Sequence, residues 1–272
     1  MPSEKEKYWN SLIIKCKDFE NSLSADFRKK TGSYFTGFEM AETMVCDLIE
    51  SFRKKYGKIV LVGKTFLEPC GGAGNFIYCY LKQISELDFS LEEIKIIIDK
   101  IYYCDSNKKA ADFYKENFLE FCKVFFNLNL DDAYFSSHIG SSLLFDISAE
   151  NPKYISLQSV FPNLENADII ITNPPYKNFK AETKHYETKE AYEKDISIYS
   201  KIKDLSTQYL QYSTDGILNF YKLFVEEIFD RYANKNAFVN LLIPSSILSD
   251  KSCTDLRKHI LRDSKVISIK VV

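Results

Sequence analysis

With 272 residues and 45% hydrophobic content, the chain can bury a full core, and its length favours one large domain over two independent ones. A formal net charge of -2 and a pI of about 6.0 exclude a protein that holds nucleic acid through an overall basic excess, so such binding needs a local patch or another subunit. The seven cysteines form no C-x-x-C pair and no apolar run approaches the roughly 20 residues of a membrane span, which indicates a reducing cytoplasm and excludes zinc-ribbon and membrane proteins.

Helical and strand-like patterns alternate along the chain. We expect an N-terminal helical segment over residues 1–57, packed on a main domain over 58–272. The further predicted helices span 38–56, 73–84, 108–121, 218–232 and 253–261. The predicted strands span 64–67, 101–104, 167–172, 237–243 and 265–272. This alternation predicts an α/β fold with a doubly wound, mostly parallel sheet.

Ligands of doubly wound sheets bind outside the carboxyl ends of the strands, near the point where strand order reverses. The residues that follow the predicted strands are therefore the places to search for a site. The polar stretch over 177–211 lacks clear periodicity, and we expect a long functional loop there.

A glycine-rich turn follows the first predicted strand. Glu68 and Pro69 precede Gly71, Gly72 and Gly74, which let the backbone turn tightly and approach a ligand closely. The Lys-Ser/Thr of a P-loop is absent and Glu68 would repel phosphate, so a cationic ligand such as S-adenosylmethionine suits the turn better. An ordinary strand-to-helix turn is the alternative.

Asp105 ends the second predicted strand and is followed by Ser106. A carboxylate at this place can accept hydrogen bonds from both ribose hydroxyls of an adenosine-containing cofactor. It could equally cap a helix that begins at about Ser106. Its position downstream of the glycine turn favours ribose binding.

The third feature is Asn173-Pro174-Pro175-Tyr176, directly after an apolar strand. The two prolines fix an extended backbone, so that the amide of Asn173 and the carbonyl of Pro174 can form one rigid pair of acceptors. Such a pair can hold both hydrogens of a planar amino group and expose its nitrogen lone pair to an electrophilic methyl carbon. Tyr176 offers an aromatic face for a planar substrate.

This motif resembles the catalytic motif of the amino-methyltransferases, and the set of motifs is similar to that of the gamma-class adenine-N6 DNA methyltransferases of restriction-modification systems. The segment 30–41 is similar to the N-terminal cofactor motif of that class, and 68–76 to its glycine turn. Asp105 matches its ribose-binding acidic residue, and 237–246 its later strand that ends in Pro-Ser. The resemblance begins at about residue 28 and reaches the C-terminus.

The resemblance implies a class I S-adenosylmethionine-dependent methyltransferase fold and a flipped-out adenine of duplex DNA as substrate. The cofactor-binding residues that it implies are Thr36, Glu68, Pro69, Gly71, Gly72, Gly74, Asp105, Ser106 and Ser141. The catalytic residues that it implies are Asn173, Pro174, Pro175 and Tyr176. Asn173 and the Pro174 carbonyl would hold the target amine, and Tyr176 would stack on the target base.

Two positions depart from the family pattern. Gly37 stands where the family usually has proline. Ser141, within the segment 137–144, stands where a carboxylate normally meets the cofactor adenine amine, and Asp146 is a poorer substitute. A serine oxygen can accept the same hydrogen bond without the charge, so we expect weaker cofactor binding.

The family fold continues past its equivalent of Val272 with a further strand and a target-recognition region, so we expect the chain to be the catalytic piece of a larger protein or assembly. A specificity subunit or a C-terminal target-recognition domain is then the expected partner. Two other functions stay open: methyl transfer to another planar amine (RNA adenine, cytosine N4 or protein glutamine), and a degenerate, non-catalytic methyltransferase fold.

Overall fold

The computed structural model describes residues 2–24, 28, 31–32, 34–57, 61–146, 150–183 and 188–271. Lys30 and Ser33 of the predicted N-terminal cofactor motif, Lys58 at the predicted domain boundary and Val272 lie outside the described residues. The division of the chain at 57/58 stays a prediction.

Five parallel strands form the central sheet in the order β3-β2-β1-β6-β7. They are β1 (Phe66–Glu68), β2 (Ile101–Cys104), β3 (Ile139–Gly140), β6 (Ala167–Thr172) and β7 (Ala233–Leu241). A separate antiparallel pair consists of β4 (Leu144–Phe145) and β5 (Tyr154–Ile155). Strand order reverses between β1 and β6, which pair directly.

The helices cover both faces of this sheet. In chain order they are α1 (Glu4–Ser22), α2 (Phe38–Tyr56), α3 (Asn75–Ser85), α4 (Leu91–Ile98), α5 (Lys108–Phe126), α6 (Asp132–His138), α7 (Leu157–Val160), α8 (Lys189–Tyr209), α9 (Phe220–Glu227) and α10 (Thr254–Asp263). A π-helical turn, Ile228–Tyr232, extends α9, and two 3₁₀ turns, Ser245–Leu248 and Lys251–Cys253, precede α10. The predicted α/β fold with a doubly wound, mostly parallel sheet and an N-terminal helical segment is confirmed.

Alternation along the strands divides the core into two layers. Phe66 belongs to the core layer that contains residues of α1, α2, α3 and α5, whereas its neighbour Leu67 belongs to the layer that contains residues of α8 and α9. Ile169 and Ile170 of β6 divide in the same way. Because both faces are covered, these strands are almost continuously apolar, and for that reason their sequences predicted buried parallel strands.

Two predicted segments are wrong. The stretch 177–211 is not one long loop, because Lys189–Tyr209 forms a helix whose buried residues are only Ile198, Ile202 and Ser206, a stripe too narrow to stand out among polar residues. The predicted strand at the C-terminus is not formed over 265–271. Val266, Ile267 and Ile269 are exposed there, and within the described chain this segment has no ladder partner.

Candidate functional site

The reversal of strand order places the carboxyl ends of β1 and β6 side by side. The glycine turn follows β1, and Asn173-Pro174-Pro175-Tyr176 follows β6. Between them opens a cleft of about 770 Å³, open solvent at its mouth included. The two strongest sequence motifs therefore meet at the edge where doubly wound folds bind ligands.

Most of the predicted site residues border this cleft. Those that line it are Thr36, Glu68, Pro69, Gly71, Gly72, Asp105, Ser106, Asn173 and Pro175. Those that lie outside its lining are Gly74, Ser141, Pro174 and Tyr176. Ser141 is exposed, while its neighbours Ser142 and Leu143 border the cleft; Asp146 does not.

Asn173 is held by the segment that precedes α2. Its Nδ2 donates to the carbonyl oxygen of Tyr34 at 2.8 Å and to Oγ1 of Thr36 at 3.1 Å. A backbone carbonyl only accepts, so the contact with Tyr34 fixes which end of the amide is the nitrogen. Oδ1 of Asn173 is buried and accepts no hydrogen bond from any residue that the structure describes. This acceptor is thus available to a ligand in the cleft.

Tyr176 is anchored beside the cleft rather than in it. Its hydroxyl donates to the carbonyl oxygen of Leu242 at 2.9 Å, and its backbone N–H donates to the carbonyl of Gly32 at 2.9 Å. Burial raises the pKa of Tyr176 to about 12, so the hydroxyl stays protonated at neutral pH. The Tyr34 ring lies nearly parallel to that of Tyr176, at a centroid distance of 6.2 Å and an angle of 25°. Tyr34 lines the cleft and is 56% exposed.

The glycines of the turn are fixed by aromatic rings that pack against them. A Cβ on Gly71 would lie 2.1 Å from the ring of Tyr103, and one on Gly72 would lie 2.5 Å from the ring of Phe35. Gly74 has a φ of +88°, and a Cβ there would lie 2.4 Å from the ring of Tyr114. Close packing of the turn itself, and not only access for a ligand, therefore requires glycine at these positions.

Glu68 forms a buried acidic end of the cleft. Only 1% of its surface is exposed, and its Oε2 finds no hydrogen-bond partner among the described residues. Burial raises the pKa of this carboxyl well above its ordinary value, and the nearby Asp105 raises it further, although a hydrogen bond from the backbone of Ile77 opposes both. The carboxyl is therefore poised to gain from a positive charge.

Asp105 borders the cleft with both oxygens already engaged. Oδ2 accepts from the N–H of Gly72 at 2.8 Å, and Oδ1 from the N–H of Asn107 at 2.7 Å. Burial raises the pKa of Asp105, and these two hydrogen bonds partly offset the rise. The helix begins at Lys108 and its cap is Asn107, whose Oδ1 accepts from Lys109, so the alternative role of Asp105 as helix cap is excluded.

Several lining residues were not among the predicted ones. They are Tyr34, Phe35, Cys70, Ala73, Asn75, Phe76, Ser142, Leu143, Phe145, Phe220 and Phe224. Four of them belong to the glycine turn and the helix that follows it, a segment that the sequence already indicated as a ligand site: Cys70, Ala73, Asn75 and Phe76. Phe220 and Phe224 come from α9, distant in sequence, and only their spacing of four in a helical pattern marked them as sharing a face.

A sequence model of the Eco57I restriction-modification methylase family matches residues 79–271. No curated protein matches the chain significantly. Among the described residues, no group of three or more His, Cys, Asp or Glu could hold a metal ion. Nor does any helix in the described part of the chain have the length and apolar character needed to cross a membrane.

Solved structures share the fold. A DrdV–DNA complex has a TM-score of 0.64 at 17% identity, covering 97% of this chain and 25% of that one. The type ISP restriction-modification enzyme LlaGI, in complex with a DNA substrate mimic, has a TM-score of 0.65 at 18% identity, covering 96% of this chain and 21% of that one. A Listeria monocytogenes protein assigned to the class I S-adenosylmethionine-dependent methyltransferases has a TM-score of 0.53 at 10% identity, covering 96% and 60%. The chain thus has the class I methyltransferase fold and spans about a quarter of the first two proteins.

Proposed function

Because the chain belongs to the Eco57I restriction-modification methylase family, we propose that it transfers a methyl group from S-adenosylmethionine to the N6 amine of an adenine flipped out of duplex DNA. One observation carries this proposal. Asn173 has its Nδ2 tied to Tyr34 and Thr36, which leaves a buried, unpartnered Oδ1 at the cleft within the described structure. An amide fixed in this way accepts a hydrogen bond from a planar amine.

The donors and acceptors of the cleft suit the proposed cofactor. Oε2 of Glu68 and Oδ1 of Asn75 are buried acceptors without a partner in the part of the chain that the structure describes, and both residues line the cleft. An ammonium group supplies the N–H donors that such acceptors lack. Asp105 retains further lone pairs for ribose hydroxyls. Ser142 lines the cleft and Ser141 does not, so Ser142 is the serine that we assign to the adenine.

When bound, S-adenosylmethionine supplies an electrophilic methyl group on a sulfonium whose departure leaves a neutral thioether. Asn173 Oδ1 accepts one hydrogen of the target amine, and by its place in the motif the Pro174 carbonyl accepts the other. These bonds keep the nitrogen lone pair directed at the methyl carbon. Transfer would exchange the C–S bond of the cofactor for an N–C bond, and the nitrogen held by Asn173 and Pro174 would lose its proton to water.

Cys70 lines the cleft but is unsuited to covalent catalysis. Burial raises the pKa of its thiol well above the ordinary value, and Asp105 raises it further. The thiolate is the nucleophilic form of cysteine, so at neutral pH this side chain stays unreactive. Direct transfer to the amine is the route that the remaining groups support.

Aromatic rings at and beside the cleft would supply the surface for the target base. A base stacked on an aromatic side chain gains roughly 1–3 kcal/mol, which helps to offset its removal from the duplex. We assign this role to Tyr34, which lines the cleft and is exposed, and to Tyr176, whose ring lies beside it nearly parallel to that of Tyr34. We further propose that a specificity subunit or a target-recognition domain recognises the target sequence. A cytoplasmic location is also proposed, because a reducing compartment suits the seven free cysteines.

The product of the reaction tests the proposal. The protein is incubated with radiolabelled S-adenosylmethionine and either duplex DNA or RNA, and the nucleic acid is digested to nucleosides. We expect label in N6-methyldeoxyadenosine from DNA. Label in an RNA nucleoside, in N4-methylcytosine, in protein, or nowhere despite cofactor binding would overturn it.

The role of Asn173 is tested by Asn173→Ala. Loss of the acceptor removes an interaction with the reacting amine but none with the cofactor, so we expect methyl transfer to fall at least 100-fold while cofactor affinity stays within about threefold. Asn166→Ala is the matched control, because Asn166 lies just before the same strand at the opposite end and donates to the Arg231 carbonyl. We expect this control to retain activity. Equal loss of transfer and of cofactor binding in Asn173→Ala would show a structural role instead.

A further inference from the structure

Asn75, the first residue of α3, connects the glycine turn after β1 with the segment before α2. It is buried, with 8% of its surface exposed, and its Nδ2 donates to the carbonyl oxygen of Thr36 at 2.7 Å. That carbonyl can only accept, so the orientation of the amide is fixed and Oδ1 is its other end. Oδ1 has no hydrogen-bond partner within the described structure.

Thr36 carries the link onward to Asn173. Its backbone carbonyl is held by Asn75, and its Oγ1 accepts from Nδ2 of Asn173 at 3.1 Å. Thr36 is itself buried, with 8% exposed. Side chains from the turn after β1 and from the end of β6 are therefore joined through one residue of the segment before α2.

A purely structural role accounts for only half of these contacts. Asn75 could serve just to dock the segment before α2, and its bond to Thr36 would suffice for that. A buried amide oxygen without a donor is costly, however, and native proteins seldom keep one unless a ligand or water meets it. Since Asn75 and Glu68 both line the cleft, the missing donor is expected there.

We propose that Asn75 is a positioning residue for methyl transfer that acts through both ends of its amide. Its Oδ1 accepts an N–H of the cofactor ammonium together with Glu68, and its Nδ2 holds Thr36 so that Thr36 orients Asn173. This inference rests on the proposed function. It means that one side chain aligns the methyl donor with the group that holds the acceptor amine.

The two ends of the amide can be separated by substitution. Asn75→Asp keeps an acceptor oxygen toward the cofactor but replaces the donor to the Thr36 carbonyl with a second oxygen, which repels that carbonyl. Asn75→Ala removes both contacts. The matched control is Asn117→Ala, because Asn117 is buried to a similar degree, with 6% exposed. Its Nδ2 donates to the backbone carbonyl of Phe113 within α5, and neither residue lines the cleft.

Three quantities are measured on the full chain: the dissociation constant of S-adenosylmethionine by calorimetry, kcat at saturating cofactor and DNA, and the melting temperature. We expect Asn75→Asp to keep cofactor affinity within threefold and to lose kcat at least tenfold. Asn75→Ala should lose at least tenfold in both. Asn117→Ala should lower the melting temperature without changing either. If Asn75→Asp does not fold, Asn75→Ser replaces it, since its shorter side chain can accept from a ligand but falls short of Thr36.

Coupling to Thr36 gives a further readout. Thr36→Val removes the Oγ1 acceptor of Asn173 and should lower kcat on its own. If Asn75 acts on Asn173 through Thr36, the double variant with Asn75→Asp should lose no more kcat than the worse single variant, whereas independent effects would multiply. Multiplied effects, or unchanged kcat in Asn75→Asp, overturn the proposal.

Failure of the proposed function gives a different result. If the unsubstituted protein binds the cofactor but methylates no nucleoside, the adenine assignment falls. The difference in cofactor affinity between Asn75→Asp and Asn75→Ala still tests the acceptor end of the amide. Equal affinities for these two variants overturn that part.

Discussion

Glu68 shows how a single carboxyl can respond to the charge of its ligand. It is almost fully buried, and its raised pKa follows first from burial and then from Asp105. In the free protein, ionisation of Glu68 is therefore disfavoured, and the folded state loses stability as the pH rises through the raised pKa. A cation placed against Oε2 reverses this preference and favours the carboxylate.

We therefore predict that S-adenosylmethionine binding releases a proton from Glu68. Affinity should rise with pH up to the pKa of Glu68 in the free protein and then level off, because above it there is no proton left to displace. Calorimetry in buffers of different ionisation enthalpy measures the release directly. Glu68→Gln should bind the cofactor more weakly and release no proton. Proton release that is the same in Glu68→Gln would assign it to another group.

At the scale of elements, the glycine turn and the rings around it form one packed unit. Tyr103 and Tyr114 stack at a centroid distance of 4.0 Å, and the Tyr103 hydroxyl donates to the carbonyl of Gly72 at 2.6 Å. β2 and α5 supply these rings, while β1 and α3 flank the turn. The shape of the cleft wall thus depends on packing between elements.

Gly74→Ala tests this packing. The left-handed φ of +88° and the ring of Tyr114 at 2.4 Å both oppose a side chain, so we expect the free energy of unfolding to fall by about 2–4 kcal/mol. Gly37→Ala is the matched control: φ is -61° and a Cβ meets nothing within 4 Å, so the expected change is below about 1 kcal/mol. Urea denaturation measures both. Equal losses would mean that the rings yield to the added methyl group.

Strands could be predicted where both faces of the sheet are buried, because such strands are uninterrupted runs of apolar residues. The apolar runs of β2 and β6 marked those strands to the residue, whereas β3 has only two residues and gave no signal. The helix Lys189–Tyr209 was missed because few of its residues are buried. The C-terminal alternation predicted a strand, but a strand also needs a hydrogen-bonding partner, which sequence pattern cannot supply.

For the site, sequence identified the groups that carry chemistry but not the contacts that orient them. Glu68 and Asn173 lie at the carboxyl ends of strands of one parallel sheet, so their place at the same edge of the sheet could be predicted. The bond from Asn75 to Thr36 spans 39 residues and depends on how the segment before α2 folds back. The positions of Phe220 and Phe224 likewise depend on how α9 packs against the sheet.

At the scale of the whole molecule, charge and size restrict what the chain does alone. Its net charge is -2, and it spans 25% and 21% of the DNA-bound DrdV and LlaGI chains. Phosphate neutralisation provides most non-specific affinity for DNA, and this chain carries no overall cationic excess for it. The cleft, by contrast, is built from residues of this chain and needs no such excess.

We therefore predict that this chain alone binds duplex DNA weakly and with little sequence preference, while binding the cofactor well. At physiological salt the dissociation constant for DNA should lie at about 10⁻⁴ to 10⁻⁶ M, and few phosphate contacts should give a log–log salt slope shallower than about -4. Cofactor affinity should barely change over the same salt range. Glu68 and Asn75 are buried, and dissolved ions weaken interactions between buried groups much less than between exposed ones. Fluorescence anisotropy with duplexes of different sequence measures the first, and calorimetry the second. Nanomolar, sequence-selective DNA binding would show that the chain reads its own target, and the proposed partner for recognition would then be unnecessary.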